Sequence, residues 1–296
     1  MTAPAGAAVS VVILLAAVLY ALAAAGSLAS LRDRRWTGPA SHAGLAAWVA
    51  HTAGLAGGLA AGGAWSAWSG VPGAVVLVTW LAAGGRYLTG DLGFGSRGRR
   101  RRERPARPLQ GLDLYVFPAV AAGLLAAAAL RWTAPVSGSG ADPGLLAEPW
   151  IPFHAALTAI GWGLFTLAWL AGLMHRAQDR SLRRLDLGPL SKRLPPLETL
   201  DRTCLRLVAA GLLFLLVGLV PGVVRAAALW GAEWLKDPKV LSTFLAAGAY
   251  ALYLAARAGF GWTAGRAAWL LSAGFLLTVL NLLVAGPFLS RLHQWL

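Results

Sequence analysis

The 296-residue chain holds one cysteine, two methionines and 12 acidic residues. A lone thiol, Cys204, cannot close an internal disulfide or form a C-x-x-C redox pair, so any thiol chemistry the protein takes part in needs a second protein. No Asp or Glu falls in the body of a long apolar run, which argues against a carboxylate proton relay through a bilayer. Charged residues make up only 13% of the chain, well below the share in a soluble domain. The patterns G-x-x-x-x-G-K-[ST], H-E-x-x-H and G-x-S-x-G are also missing, which removes the P-loop, zinc-protease and nucleophile-elbow chemistries they mark.

Apolar sequence is what the chain has in quantity: 57% of residues are hydrophobic, and the mean hydropathy is +0.62. A transmembrane helix needs about 20 mostly apolar residues. Runs of about that length recur at 8–29, 43–63, 72–88, 112–130, 153–174, 204–222, 240–256 and 267–288. The expected fold is therefore all-α, a polytopic bundle of about eight transmembrane helices forming a single integral membrane domain over 1–296. Residues 36–85 carry no Asp, Glu, Lys or Arg, but the turn-like WSAWSGVPG at 65–73 divides them into two spans. The first run lacks a basic n-region, and Arg32, Arg34 and Arg35 follow it, so it reads as a retained span and not as a cleaved leader.

A net charge of +14 would point to nucleic acid in a soluble protein. Here the arginines flank apolar spans, so the expected partner is the anionic lipid surface, with no nucleic acid. Of the 26 Lys and Arg residues, 21 fall in the loops after spans one, three, five and seven, and 5 (Arg131, Arg225, Lys236, Lys239 and Arg291) fall on the other side. The positive-inside rule then places both termini outside the cytoplasm. The segment RGRRRRERPAR at 97–107 reads as a solvated cytoplasmic loop.

On this topology two of the five histidines face outward: His154, at the start of span five, and His293, just past span eight. A lone interfacial histidine is ordinarily an amphipathic side chain with one end in water. Two at one depth suit a different task, closing on a haem iron from its two faces. Between spans six and seven, on the same side, lies WGAEWLKDPK, residues 230–239. Trp230 and Trp234, four apart, share a side if this loop has a helical turn, and would offer apolar surface to a porphyrin plane. Lys236 and Lys239 would suit its propionates. An alternative reading has Asp237 capping span seven with Pro238 in its first turn, and the tryptophans marking the membrane interface. Composition leaves both open. His51 lies inside span two, where an ionisable group is either functional or hydrogen-bonded to a neighbouring helix. His42 sits at the cytoplasmic mouth of that span and His175 at the inner end of span five.

The stretch WGAEWLKDPKVLSTFLAAGAYALYLAAR, followed by GRAAWLLSAGFLLTVLNLL and LSRLHQW, resembles the C-terminal half of the CcsA and HemX group of cytochrome c assembly membrane proteins, marked by a W-G-x-x-W-x-W-D segment. WIPFHAALTAIGWGLF around His154 is similar to the same group, whereas spans 1–130 match it mainly in layout. The specific match is a haem-handling core at 149–296. The resemblance implies haem held at the outer face by His154 and His293 beside Trp230, Gly231, Trp234 and Asp237, for attachment to apocytochrome c. It also implies a CcsB/ResB-type membrane subunit as partner, thioredoxin-like reductants acting indirectly, and location in the bacterial cytoplasmic membrane. Two positions depart from the pattern. Lys236 replaces the third tryptophan, and Ala255 stands where members with a second, intramembrane haem site have the histidine of YLHAR; His51 resembles the other intramembrane haem ligand and is the cofactor-binding candidate there, without that partner. The HemX-like branch implies another role, control of haem synthesis at the glutamyl-tRNA reductase step.

Overall fold

Lipid tails are as apolar as leucine, so helices in a bilayer associate through close backbone approach and buried polar ties and not through hydrophobic burial. The computed structural model describes residues 3–62, 70–91, 111–133, 148, 150–185 and 188–290. Among these it forms eight α-helices and no strand. They are α1 (Ala3–Ala29), α2 (Thr37–Gly62), α3 (Gly70–Asp91), α4 (Asp113–Thr133), α5 (Trp150–Arg183), α6 (Leu197–Trp230), α7 (Pro238–Leu254) and α8 (Ala264–Leu280). α7 continues as a π turn, Ala255–Gly259, and α8 as a π-wound segment, Asn281–Leu289. His293, the 97–107 loop and most of the 65–73 turn lie outside the described residues.

Seven of the eight helices, all but α3, are long and apolar enough to cross a membrane. The chain is a multi-pass membrane protein. α3 forms where a span was expected, but Thr79, Trp80, two adjacent glycines and Arg86 dilute its apolar content. The other departure is length. Spans expected at 153–174 and 204–222 are each the core of a 34-residue helix, about 50 Å long against the ~30 Å of hydrocarbon a bilayer offers. Hydropathy ends where charge begins, but the helix does not. Exposed i,i+4 pairs, Arg183 with Asp179 and Arg202 with Glu198, carry α5 and α6 into the aqueous layer.

α5 is the central helix: half of its most apolar window is buried, against 28–39% for the other six spans. It packs on α3, α6 and α8. Glycines set the α5–α6 distance, since a Cβ on Gly161 would stand 3.0 Å from the Gly211 carbonyl oxygen. Two stacked aromatic pairs then lock α5 to its other neighbours. Phe165 lies 3.7 Å from Tyr250 of α7, and Trp169 lies 4.2 Å from Phe275 of α8, ring centre to ring centre.

Polar ties gather at the two ends of the bundle. At the arginine-rich end, Arg86 pairs through two nitrogens with Asp113, Arg193 donates to the hydroxyl and carbonyl of Ser30, and Arg257 joins Asp201 to the Trp262 carbonyl. The alternating chain direction puts the start of α5, the end of α6, the start of α7 and the end of α8 together at the opposite end. That end carries the candidate site.

Candidate functional site

His154 stands one turn into α5, and its partner is already on α6. Its Nδ1 is 2.7 Å from the Gly218 carbonyl oxygen. A carbonyl only accepts, so Nδ1 carries the proton, and the ring in its neutral form presents its lone pair at Nε2. This is the arrangement in which a metal-binding histidine is held, with one nitrogen anchored to a backbone carbonyl and the other free to bind. The ring fits because Gly222 has no side chain: a Cβ there would come within 2.9 Å of Cε1 and 3.0 Å of Nδ1. Pro221, inside α6, supplies no N–H to the preceding turn, which loosens the helix beside this contact.

Around the imidazole the helix ends build an aromatic and cationic rim. Trp150 lies 6.5 Å from the His154 ring, and the Arg225 guanidinium sits 5.7 Å over Trp150 while reaching Glu148 at 4.0 Å. On the outer side of the α5–α6 seam, Trp150, Phe153, Val217, Val220, Pro221 and Arg225 line an open groove of about 520 Å³. Trp150 Nε1 and Arg225 Nε are buried atoms without a hydrogen-bond partner among the described residues.

The 230–239 segment begins where α6 stops. Gly231 takes φ +56° and ψ −130°, a conformation that side-chain-bearing residues rarely adopt, while its N–H still bonds the Ala227 carbonyl at 3.1 Å. A 3₁₀ turn follows at Glu233–Lys236. Trp230 and Trp234 therefore do not share one continuous helix, and the face-sharing expected from their spacing does not apply, because the backbone changes direction at Gly231 between them. Both rings are half-buried. Lys236 pairs with Glu233 at 2.8 Å, both largely exposed.

Asp237 caps α7 as anticipated: Oδ1 accepts from the backbone of Lys239 (2.9 Å) and Val240 (3.3 Å), with Pro238 in the first turn. Its second oxygen accepts from the Ser290 hydroxyl at 2.6 Å. Lys239 runs beside Gly286, whose Cβ would meet its Cδ and Cε at 3.7 Å, and its charge lies within electrostatic range of His154. Asn281 holds the same turn, its Nδ2 lying 2.7 Å from the Lys239 carbonyl oxygen, 2.6 Å from Ser242 Oγ and 2.9 Å from Thr243 Oγ1.

His154, Lys239, Asp237 and the tryptophan segment thus occupy one end of the bundle, whereas His51 lies elsewhere. It is fully buried, with Nε2 3.1 Å from the Val76 carbonyl oxygen of α3 and its ring edge-on to Tyr20 of α1. Ala255 belongs to the π turn ending α7, a helix that packs on α6 and α8, whereas α2 packs on α1 and α3. Gly218, Gly222, Asn281 and Ser290 were not among the residues singled out from sequence. The first two stand in GLVPG, a small-xxx-small pattern of helix contact, and Asn281 is a lone amide in an apolar run. Ser290 carries no comparable signal.

These features define a polytopic helical membrane protein with an anchored histidine and a tryptophan-bearing segment at one mouth. The family model for cytochrome C assembly protein matches residues 106–293, more than half of the chain, and the chain belongs to this family. It is 29% identical over 142 residues to Protein HemX of Brevibacillus brevis, an alignment covering 48% of this chain and 52% of that protein. It is 35% identical over 169 residues to the cytochrome c biogenesis protein CcsA of Prochlorococcus marinus, and 27% identical over 165 residues to CcsA of Guillardia theta; each covers 51% of this chain and 55% of the relative. The chain spans about half the length of these relatives.

Proposed function

We propose that the protein binds haem at its extracytoplasmic end and presents it for covalent attachment to apocytochrome c. The observation that carries this reading is the His154 contact: Nδ1 lies 2.7 Å from the Gly218 carbonyl oxygen, an acceptor, which leaves Nε2 as the binding nitrogen. His154 and His293 are the proposed iron ligands, and Trp230, Gly231 and Trp234 the proposed platform. Of the two lysines, Lys239 suits an anionic propionate better, since Lys236 already has Glu233 as a partner at the surface. The haem, when bound, supplies the vinyl groups to be joined to cysteine thiols. Those thiols come from elsewhere, because Cys204 is buried against the Ala168 carbonyl. The resemblance to the CcsA group supports a CcsB/ResB-type membrane subunit and thioredoxin-like reductants as the proposed partners, with the cytoplasmic membrane of a bacterium as the proposed setting. For His51, the bond to Val76 supports a structural tie between α2 and α3.

The test is the visible absorption spectrum of detergent-purified protein expressed with haem supplied, wild type beside a His154→Ala, His293→Ala double variant. A Soret band present in the wild type and lost in the variant is expected. A wild type without the band would overturn the reading.

A second reading, a membrane regulator of haem synthesis, is favoured by the similarity to Protein HemX and by Lys236 at the third tryptophan position. It predicts that the double variant keeps full function while substitutions in the basic loops 86–111 and 175–203 abolish it.

A further inference from the structure

The groove on the outer side of the α5–α6 seam is polar at one end and apolar along the rest of its length. Val217, Val220, Pro221 and Val224 recur three and four residues apart and so form one stripe on α6. His154 packs on the neighbouring stripe, against Gly218 and Gly222, and none of the groove's residues is among those proposed to hold haem. Val220 and Val224 are each 62% exposed, and Phe153, on the α5 side, is 55% exposed. In a chain that crosses a bilayer, such a face meets hydrocarbon and not water.

The polar end sits where a lipid headgroup does. Trp150 is the first residue of α5, and Arg225 stands close to the end of α6. Val217 lies about 12 Å deeper along the axis of α6. Trp150 Nε1 and Arg225 Nε are buried and have no acceptor among the described residues. Both groups only donate. The Arg225 guanidinium, 5.7 Å over the Trp150 ring, brings the two donors to the same end of the groove. Glu148 approaches a terminal nitrogen of Arg225 only to 4.0 Å, the outer limit of an ion pair, and both side chains are partly exposed. A buried donor left unpaired costs about 1–3 kcal/mol, and hydrocarbon supplies no acceptor. A phosphate oxygen does, and its bond to a guanidinium is charge-assisted.

We propose that this groove binds one anionic phospholipid, its phosphate accepting from Arg225 and Trp150 and an acyl chain lying along the α6 stripe. A free phosphate leaves the apolar stripe unused, and a lipid without net negative charge leaves the Arg225 cation uncompensated. The volume of about 520 Å³ lies inside the roughly 300–1,000 Å³ range of small-molecule sites. The inference depends on the membrane-spanning fold and is independent of the haem reading.

The test is native mass spectrometry of the full-length protein in detergent, titrated with phosphatidylglycerol or phosphatidylcholine of the same acyl chains. Phosphatidylglycerol is expected to bind one per chain and more tightly than phosphatidylcholine. Arg225→Gln should weaken it about 10-fold, the loss of one charge-assisted bond. Trp150→Phe, which keeps an aromatic ring and removes only the donor, should weaken it by a smaller factor. Val220→Trp, which fills the stripe and leaves Arg225 in place, should abolish the adduct. Lys236→Gln, which removes a surface charge at the same end of the bundle but outside the groove, should leave binding unchanged. Equal affinity for the two lipids, or unchanged phosphatidylglycerol binding in Arg225→Gln and Trp150→Phe, would overturn the proposal. Glycerol 3-phosphate binding as tightly as phosphatidylglycerol would overturn it too, since the acyl chain would then contribute nothing.

Discussion

At the scale of single residues, glycine and histidine decide the site together. His154 packs against α6 only because position 222 is bare, and its tautomer follows from the Gly218 carbonyl. Gly222→Leu is expected to push the ring from its anchor, costing about 1–3 kcal/mol of stability as overpacking does, with haem retention falling alongside. Melting in detergent and the Soret absorbance report the two effects separately. Gly231 is a different case, since nothing crowds its α-carbon and only its positive φ requires glycine. Gly231→Ala should cost about 1–3 kcal/mol through backbone strain, and it should distort the tryptophan segment while His154 stays anchored. Unchanged melting and unchanged haem content in that variant would argue that the turn is tolerant.

At the scale of elements, polar side chains act as bolts between helices that lipid alone would not hold together. Asn281→Leu removes the α8 donor to the first turn of α7. The expected loss is up to ~2 kcal/mol, the upper range for a hydrogen bond between membrane helices, read as a lower melting temperature with helical content retained. The ion pair of Arg257 with Asp201 ties the end of α7 to the start of α6, at side-chain exposures of 10% and 25%. Arg257→Ala leaves the carboxylate without its counter-charge and is expected to cost about 3 kcal/mol. Adding Asp201→Ala should recover part of that loss, a double-variant comparison that unequal ion-pair and desolvation effects would expose. The eight helices were legible in the apolar runs, because a bilayer demands long uncharged stretches. The true lengths of α5 and α6 were not, because helix formation continues through residues that hydropathy counts against it.

At the scale of the whole molecule, the chain is polarised. One end is held by arginines and the other carries His154, Asp237 and Ser290. On the topology expected from the charge split, the arginine end faces the cytoplasm. A C-terminal alkaline phosphatase fusion should therefore be active and a fluorescent protein fusion at the same place dark; the reverse pattern would invert the proposed topology and with it the outer haem site.

Composition by itself determined that this is a membrane-spanning helical protein, since no soluble core accommodates so many long apolar runs. Charge placement determined the orientation to test, and the motif around 230–239 pointed to the segment worth examining. It also marked Asp237 and Pro238 as a helix start, because capping is local and its partners lie within three residues. Only the tertiary structure decided which nitrogen of His154 is presented, that Gly222 makes room for it, and that Asp237 reaches Ser290. Each of those depends on an atom 53 or more residues away in sequence, and distance along the chain says nothing about which helix faces meet until packing has brought them together.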